Sequence, residues 1–152
     1  MVNIIKDGDL FTVPADILIN PVNRMGISGA GLAKEFKRRF SGHDAQWKKN
    51  CEFPMPLNEL FFVLDAGLSA RICYFPTKHY PKDVISDIAL IEGGLQFLKK
   101  ACDEAPMRKQ RIINMPALGC GLGGLDFENV IKPMVIELFA GEFYTINLFE
   151  PK

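Results

Sequence analysis

The chain has 152 residues, with 18 basic residues against 18 acidic ones, 48% hydrophobic and 24% charged. This length and balance fit one soluble domain, residues 1–152, built round one core; they exclude intrinsic disorder and a globally basic nucleic-acid binder. No apolar run is long enough to span a bilayer, so no membrane partner is expected.

Met1 to Gly8 carries charge at Lys6 and lacks both the apolar stretch and the cleavage site of a signal peptide, which predicts a cytoplasmic location, or the host cytoplasm for a viral protein. Val2 to Lys6 and Ala15 to Val22 read as strands, the first closed by the turn pair Asp7-Gly8. From Ala30 the apolar residues Leu32, Ala33, Phe36 and Phe40 recur at helical spacing, and His43 to Cys51 continues as a second short helix. Leu60 to Asp65 and Arg71 to Thr77 are two strands separated by a turn at Gly67, a hairpin or near neighbours. Ser86 is read as the N-cap of a long helix with Ile88, Ile91, Leu95 and Leu98 on one side, breaking near Pro106. Arg111 to Met115 is a buried strand. Asp126 then caps a helix carrying Val130, Met134, Ile136 and Phe139, and Phe143 to Phe149 is the last strand. Strands alternating with helices predict a three-layer α/β/α sandwich with a central mixed, mostly parallel sheet, whose ligands sit at the carboxyl ends of strands.

Cys51, Cys73, Cys102 and Cys120 show no C-x-x-C spacing and are read as reduced thiols. With only His43 and His79 beside them, no metal site is expected. A local basic stretch runs from Lys34 through Lys37, Arg38 and Arg39 to Lys48 and Lys49. Its plain reading is the solvated face of a surface helix; its alternative is a path for a nucleic-acid strand.

Two glycine-rich loops lie between a strand and a helix: Asn20 to Ala33, with Gly26, Gly29 and Gly31, and Gly119-Cys120-Gly121-Leu122-Gly123-Gly124. Glycines let backbone N–H groups approach a ligand, and a helix N-terminus favours an anion, so two such loops can hold a pyrophosphate between them. Neither has P-loop or dinucleotide-turn spacing, and helix-on-strand packing also demands glycine.

Gly8-Asp9-Leu10-Phe11, Ala15-Asp16-Ile17-Leu18-Ile19-Asn20 and Asn23 to Ala33, taken in order, resemble the opening of a macrodomain. Phe75-Pro76-Thr77-Lys78 and Pro116 to Phe127 resemble the branch that holds the bacterial antitoxin DarG and the human terminal ADP-ribose glycohydrolase. The resemblance runs from Ile4 to Pro151. It implies the macrodomain fold and a hydrolase that removes ADP-ribose from a DNA base or a protein carboxylate, with no cofactor. The implied partners are ADP-ribose or an ADP-ribosylated macromolecule, ADP-ribosylated DNA among them, and a monomer is expected.

Carried over residue by residue, the resemblance assigns the adenine to Asp9 and Leu10, with Phe149 stacking on it, and the distal ribose to Asn23. Asn20, Gly29, Ala30, Gly31 and Thr77 are further ligand contacts, and Gly119, Cys120, Gly121, Leu122, Gly123 and Gly124 hold the diphosphate. Asp9 also suits a simple turn, and Phe149 a simple core position. Lys78 is the implied catalytic residue, either as a neutral amine attacking the anomeric carbon or as a cation stabilising the leaving group. Without the family pattern it would read as a solvated strand end. The human enzyme has an acid where this chain has Gly123, and Ser28 stands where a methionine is common. Asp126 lies nearby, as helix cap or second catalytic acid. Two other functions stay open: hydrolysis of ADP-ribose 1''-phosphate, and a reader that binds ADP-ribose without turnover.

Overall fold

The computed structural model describes residues 1–63, 71–104 and 111–152. Six strands, β1 (Val2–Ile5), β2 (Ile17–Asn23), β3 (Phe61–Val63), β4 (Arg71–Lys78), β5 (Ile112–Met115) and β6 (Thr145–Phe149), form one sheet in the order β1-β6-β5-β2-β4-β3. Among the described residues only the β3–β4 pairing is antiparallel; the other pairings are parallel. The expected mixed, mostly parallel sheet is therefore present, and β3 and β4 are the expected neighbours. The turn at Gly67, the strand's end at Asp65 and the helix break at Pro106 lie outside the described residues.

Four helices cover the sheet: α1 (Gly31–Arg39), α2 (Ser41–Asn50), α3 (Ile88–Asp103) and α4 (Lys132–Phe139). Strand β2 shows why both faces must be covered. Its side chains alternate, with Ile17 and Ile19 in the core under α3 and α4, and Leu18 and Val22 in the core with Phe36 of α1 and Trp47 of α2. On the α1–α2 side Trp47 stacks on Tyr74 of β4 with ring centroids 4.5 Å apart. The basic residues of α1 and α2 face solvent: Glu35 pairs with Arg38 and Arg39, and Lys48 with Asp44. Those two arginines pull the Glu35 carboxyl down to about 2.

Two helix readings need correction. The cap of α3 is Asp87, whose carboxylate accepts from the Leu90 N–H; Ser86 is turned under the second glycine loop and its own N–H donates to Gly123 O. The buried side of α3 is Leu90, Ile91, Leu95, Leu98 and Cys102, and Ile88 is 41% exposed. Asp126 does cap the last helix, accepting from the Asn129 N–H at 3.1 Å. That helix begins, however, with a π-helical turn over Phe127–Ile131, in which the Lys132 N–H reaches back five residues to Phe127 O. Pro133 cannot donate to the turn behind it and its ring crowds the carbonyl there, so the wider turn relieves the clash. The extra residue shifts the phase: the buried positions are Phe127, Ile131, Val135 and Phe139, while Ile136 is exposed.

Helix α3 approaches β4 closely enough that a methyl group on Gly94 would lie 2.6 Å from Cζ of the fully buried Phe75. Gly94→Ala gains up to about 1 kcal/mol of helix propensity but overpacks this contact by about 1–3 kcal/mol. A net loss of stability is expected, read as a lower urea midpoint at unchanged slope. An unchanged or raised midpoint would show that Phe75 yields without cost.

Candidate functional site

Parallel strands bring their carboxyl ends to one edge of the sheet, and the loops leaving β1, β2, β4, β5 and β6 all meet there. A cleft of ≈ 830 Å³ opens at this edge. It crosses from the β1–β6 side, with Asp9 and Phe149, past the loop after β5, to Asn23 after β2 and Lys78 at the end of β4. Four strand spacings make that about 19 Å. Its lining includes Asp9, Phe149, Glu150 and Lys152 on the β1–β6 side and Asn23, Thr77 and Lys78 on the β2–β4 side.

The first glycine loop is held by its own side chains. Asn23 Nδ2 donates to Ile27 O at 2.7 Å, its Oδ1 accepts from the Met25 N–H at 3.0 Å, and Ser28 Oγ donates to Asp44 Oδ1 of α2 at 3.1 Å. Helix α1 then starts at Gly31 with Ala30 as N-cap and no side-chain cap. Its first N–H groups have no side chain to satisfy them, and Ala30 and Gly31 line the cleft, which is the arrangement that takes an anion. The second loop leaves β5 through Gly119, whose φ of +72° lies in the left-handed region. A side chain there would strike Ser86 Cβ, Ile91 and Leu125 within 3 Å.

Of the residues singled out from the sequence, Asp9, Leu10, Asn23, Gly29, Ala30, Gly31, Thr77, Lys78, Gly119, Cys120, Gly121, Leu122, Gly123 and Phe149 line the cleft. Asn20 and Gly124 do not. Asn20 is fully buried inside the sheet, three residues before the end of β2, and Gly124 follows the turn that leads the chain away. Asp9 keeps its turn duty, its Oδ1 accepting from the Phe11 N–H at 2.9 Å, and Phe149 belongs to the core while presenting an edge to the cleft. Burial pushes the Cys120 thiol up to about 11, so it stays protonated at neutral pH and is a poor nucleophile. Asp126 and the basic residues of α1 and α2 are not on the cleft wall. Among the described residues, the Lys78 ammonium has no ion-pair or hydrogen-bond partner.

The sequence reading missed an asparagine ladder. Asn3, Asn147 and Asn114 share one register row across β1, β6 and β5. Asn3 Nδ2 donates to Asn147 Oδ1, Asn147 Nδ2 donates to Asn114 Oδ1, and Asn114 Nδ2 donates to Leu10 O and Val13 O at 3.0 and 2.7 Å. The ladder ties the Asp9–Leu10 loop to the middle of the sheet. It also missed Ser86, which lines the cleft with a buried, unpartnered hydroxyl next to Gly123. Neither carried a motif; the only signal was polarity inside an apolar run.

Sandwich, sheet order and a cleft between two glycine loops at the carboxyl edge define an α/β/α ligand-binding domain. The chain belongs to the Macro domain family, whose model matches residues 19–134. It is 33% identical over 147 residues to a DNA ADP-ribosyl glycohydrolase of Thermus aquaticus, a match that covers 95% of this chain and 40% of that protein. It is 27% identical over 146 residues to human ADP-ribose glycohydrolase OARD1, covering 93% of this chain and 87% of that one. The solved macrodomain of Thermus aquaticus DarG superposes with a TM-score of 0.82 at 29% identity over 99% of each chain. The chain thus spans less than half the length of the Thermus glycohydrolase it matches.

Gly119→Ala combines a strained φ with three contacts in a packed site, so a stability loss of about 2–4 kcal/mol is expected. Thermal denaturation measures it. A variant as stable as the parent would mean that the loop rebuilds without its left-handed turn.

Proposed function

We propose that the cleft binds ADP-ribose and that the chain is an ADP-ribosyl glycohydrolase, cleaving the bond between the distal ribose and a DNA base. The observation that carries this reading is the position of Lys78: the residue lines the cleft four strands away from β1, is the register partner of Asn23, and its side chain has no partner among the described residues. The sheet order supports one orientation. Adenine lies at Asp9, Leu10 and Phe149; the diphosphate lies between the start of α1 and the Gly119–Gly123 backbone; the distal ribose lies at Asn23 and Lys78. The name of the Thermus relative supports DNA as the acceptor, at the higher of the two identities.

In the reaction, water ends on the anomeric carbon, the bond from that carbon to the base breaks, and the base leaves with the proton. Backbone amides fix the diphosphate and hold the reacting carbon in place, which supplies much of the acceleration. Lys78 acts at that carbon or on the charge developing beside it. Cys120, protonated, and Asp126, engaged as a helix cap, are spectators.

The test measures release of ADP-ribose from an ADP-ribosylated oligonucleotide, with a carboxylate-linked protein and ADP-ribose 1''-phosphate as competitors for the assignment. Lys78→Ala is expected to lower kcat by about 10²–10³, while the calorimetric Kd for ADP-ribose stays within about threefold, under 1 kcal/mol. Lys78→Arg keeps the charge and cannot act as the amine nucleophile; its activity separates the two roles. If the unaltered chain binds ADP-ribose yet releases nothing from any of the three substrates, it is a reader and the enzymatic proposal is wrong.

A further inference from the structure

Next to Lys78 stand three side chains that the mechanism above does not use and that bond to one another. Arg24 follows Asn23 at the end of β2, and His79 follows Lys78 at the end of β4; Arg24 Nη1 lies 3.0 Å from His79 Nδ1. On the other side of the ring, His79 Nε2 lies 2.7 Å from Oδ2 of Asp87, the cap of α3. A guanidinium can only donate, so Nδ1 is the acceptor and the ring proton is on Nε2, donating to the Asp87 carboxylate. The series runs one way, from Arg24 through His79 to Asp87, and one neutral tautomer satisfies it.

The same residues grip the backbone on both sides of Lys78. The Asp87 N–H donates to Thr77 O and the Arg24 N–H donates to Lys78 O, each at 2.9 Å. Arg24 is itself anchored, Nε donating to Met55 O at 2.6 Å. Between these two grips the strand is irregular. Val22 pairs with Pro76 but Asn23 pairs with Lys78, so Thr77 is the extra residue of a bulge in β4. A bulge re-aims the side chains next to it, and this one falls where β4 reaches the cleft that Thr77 and Lys78 line.

We propose that Arg24, His79 and Asp87 form a polarised clamp that fixes the Thr77 bulge and thereby aims Lys78 into the cleft, with His79, as its Nε2–H tautomer, the positioning residue. This rests on the reading of Lys78 as the catalytic residue. Position 79 must present an acceptor to Arg24 and a donor to Asp87. A glutamine amide can do both; a leucine of similar size can do neither.

The experiment uses the full chain and two variants, His79→Leu and His79→Gln. Long-range proton–nitrogen NMR spectra of the unaltered chain should show Nε2 protonated and Nδ1 bare at neutral pH. His79→Leu should lower kcat for ADP-ribose release from the modified oligonucleotide by about tenfold to a hundredfold, the scale of a catalytic group misplaced by about an ångström, with the Kd for ADP-ribose unchanged. His79→Gln should recover most of that loss. A protonated Nδ1, a kcat unmoved in a folded His79→Leu chain, or a glutamine variant as slow as the leucine one would each overturn the clamp. The 13Cε resonance of Lys78 is read in parallel and needs no turnover: it should keep its position in His79→Gln and move in His79→Leu. Identical Lys78 signals in all three chains would likewise overturn it. An unaltered chain that releases nothing would defeat the glycohydrolase reading alone.

Discussion

The cleft depends on one constraint, the parallel pairing of β2 with β5 on one side and β4 on the other. Three segments distant in sequence, Asn23 to Gly31, Pro116 to Gly124 and Thr77-Lys78, leave the same sheet edge only because those strands run in the same direction. Parallel strands require covered faces and crossover helices, and here α3 and α4 lie on one side and α1 and α2 on the other. Hydrophobic burial therefore does the positioning: the apolar alternation along β2 fixes its register, and the register fixes where each loop begins.

One group of polar side chains inside this apolar frame is strictly directed. The asparagine row across β1, β6 and β5 has its amide donors all pointing towards the Leu10 loop, ending on two backbone carbonyls. Each hydrogen bond contributes about 0.5–1.5 kcal/mol net, but leaving Asn114 unpaired in the core would cost more than any one of them gains. The row thus acts less as a source of stability than as a condition the loop must meet. Arg24, His79 and Asp87 apply the same logic at the opposite end of the cleft. In the proposed clamp the polar side chains at that end come from the residues just after β2 and β4 and from the cap of α3, and the glycine loops lie between the two ends.

What the sequence showed and what it hid follow from the range of the interactions involved. The order of strands and helices was legible because burial alternation and helical spacing are local. The face of α4 was not, because Pro133 forces a π-helical turn and one added residue rotates everything after it by about a quarter turn or more. Ser86 and Asp87 carry the same capping signature, and only the tertiary position of the Gly123 carbonyl decides that Ser86 turns inward and Asp87 caps. The family resemblance picked out Lys78 and Gly29, Gly31, Gly119, Gly121 and Gly123, all of which line the cleft, and also Gly124, which does not. Asn20 sits within the same pattern yet lies inside the sheet, since motif order does not say how far a strand runs before it opens. Arg24, His79 and Asp87 each have a plain reading as solvated polar residues; the pairing of β2 with β4 brings the first two together, and the docking of the α3 cap on Thr77 O adds the third.

The second glycine loop, by contrast, is wound so that it has little room for a side chain at position 123. A side chain built on Gly123 would collide with the Ser86 hydroxyl, and its Cβ would stand 2.5 Å from the Gly119 carbonyl oxygen. The hydroxyl can rotate away; the carbonyl cannot, because the Leu125 N–H holds it at 2.9 Å and the Ser86 N–H holds the carbonyl of Gly123 itself. An acid at 123 thus requires a differently wound loop. The loop is committed to presenting backbone amides. Under the proposed function, chemistry at the far ribose falls to Lys78, which lies next to the β4 bulge and lines the cleft.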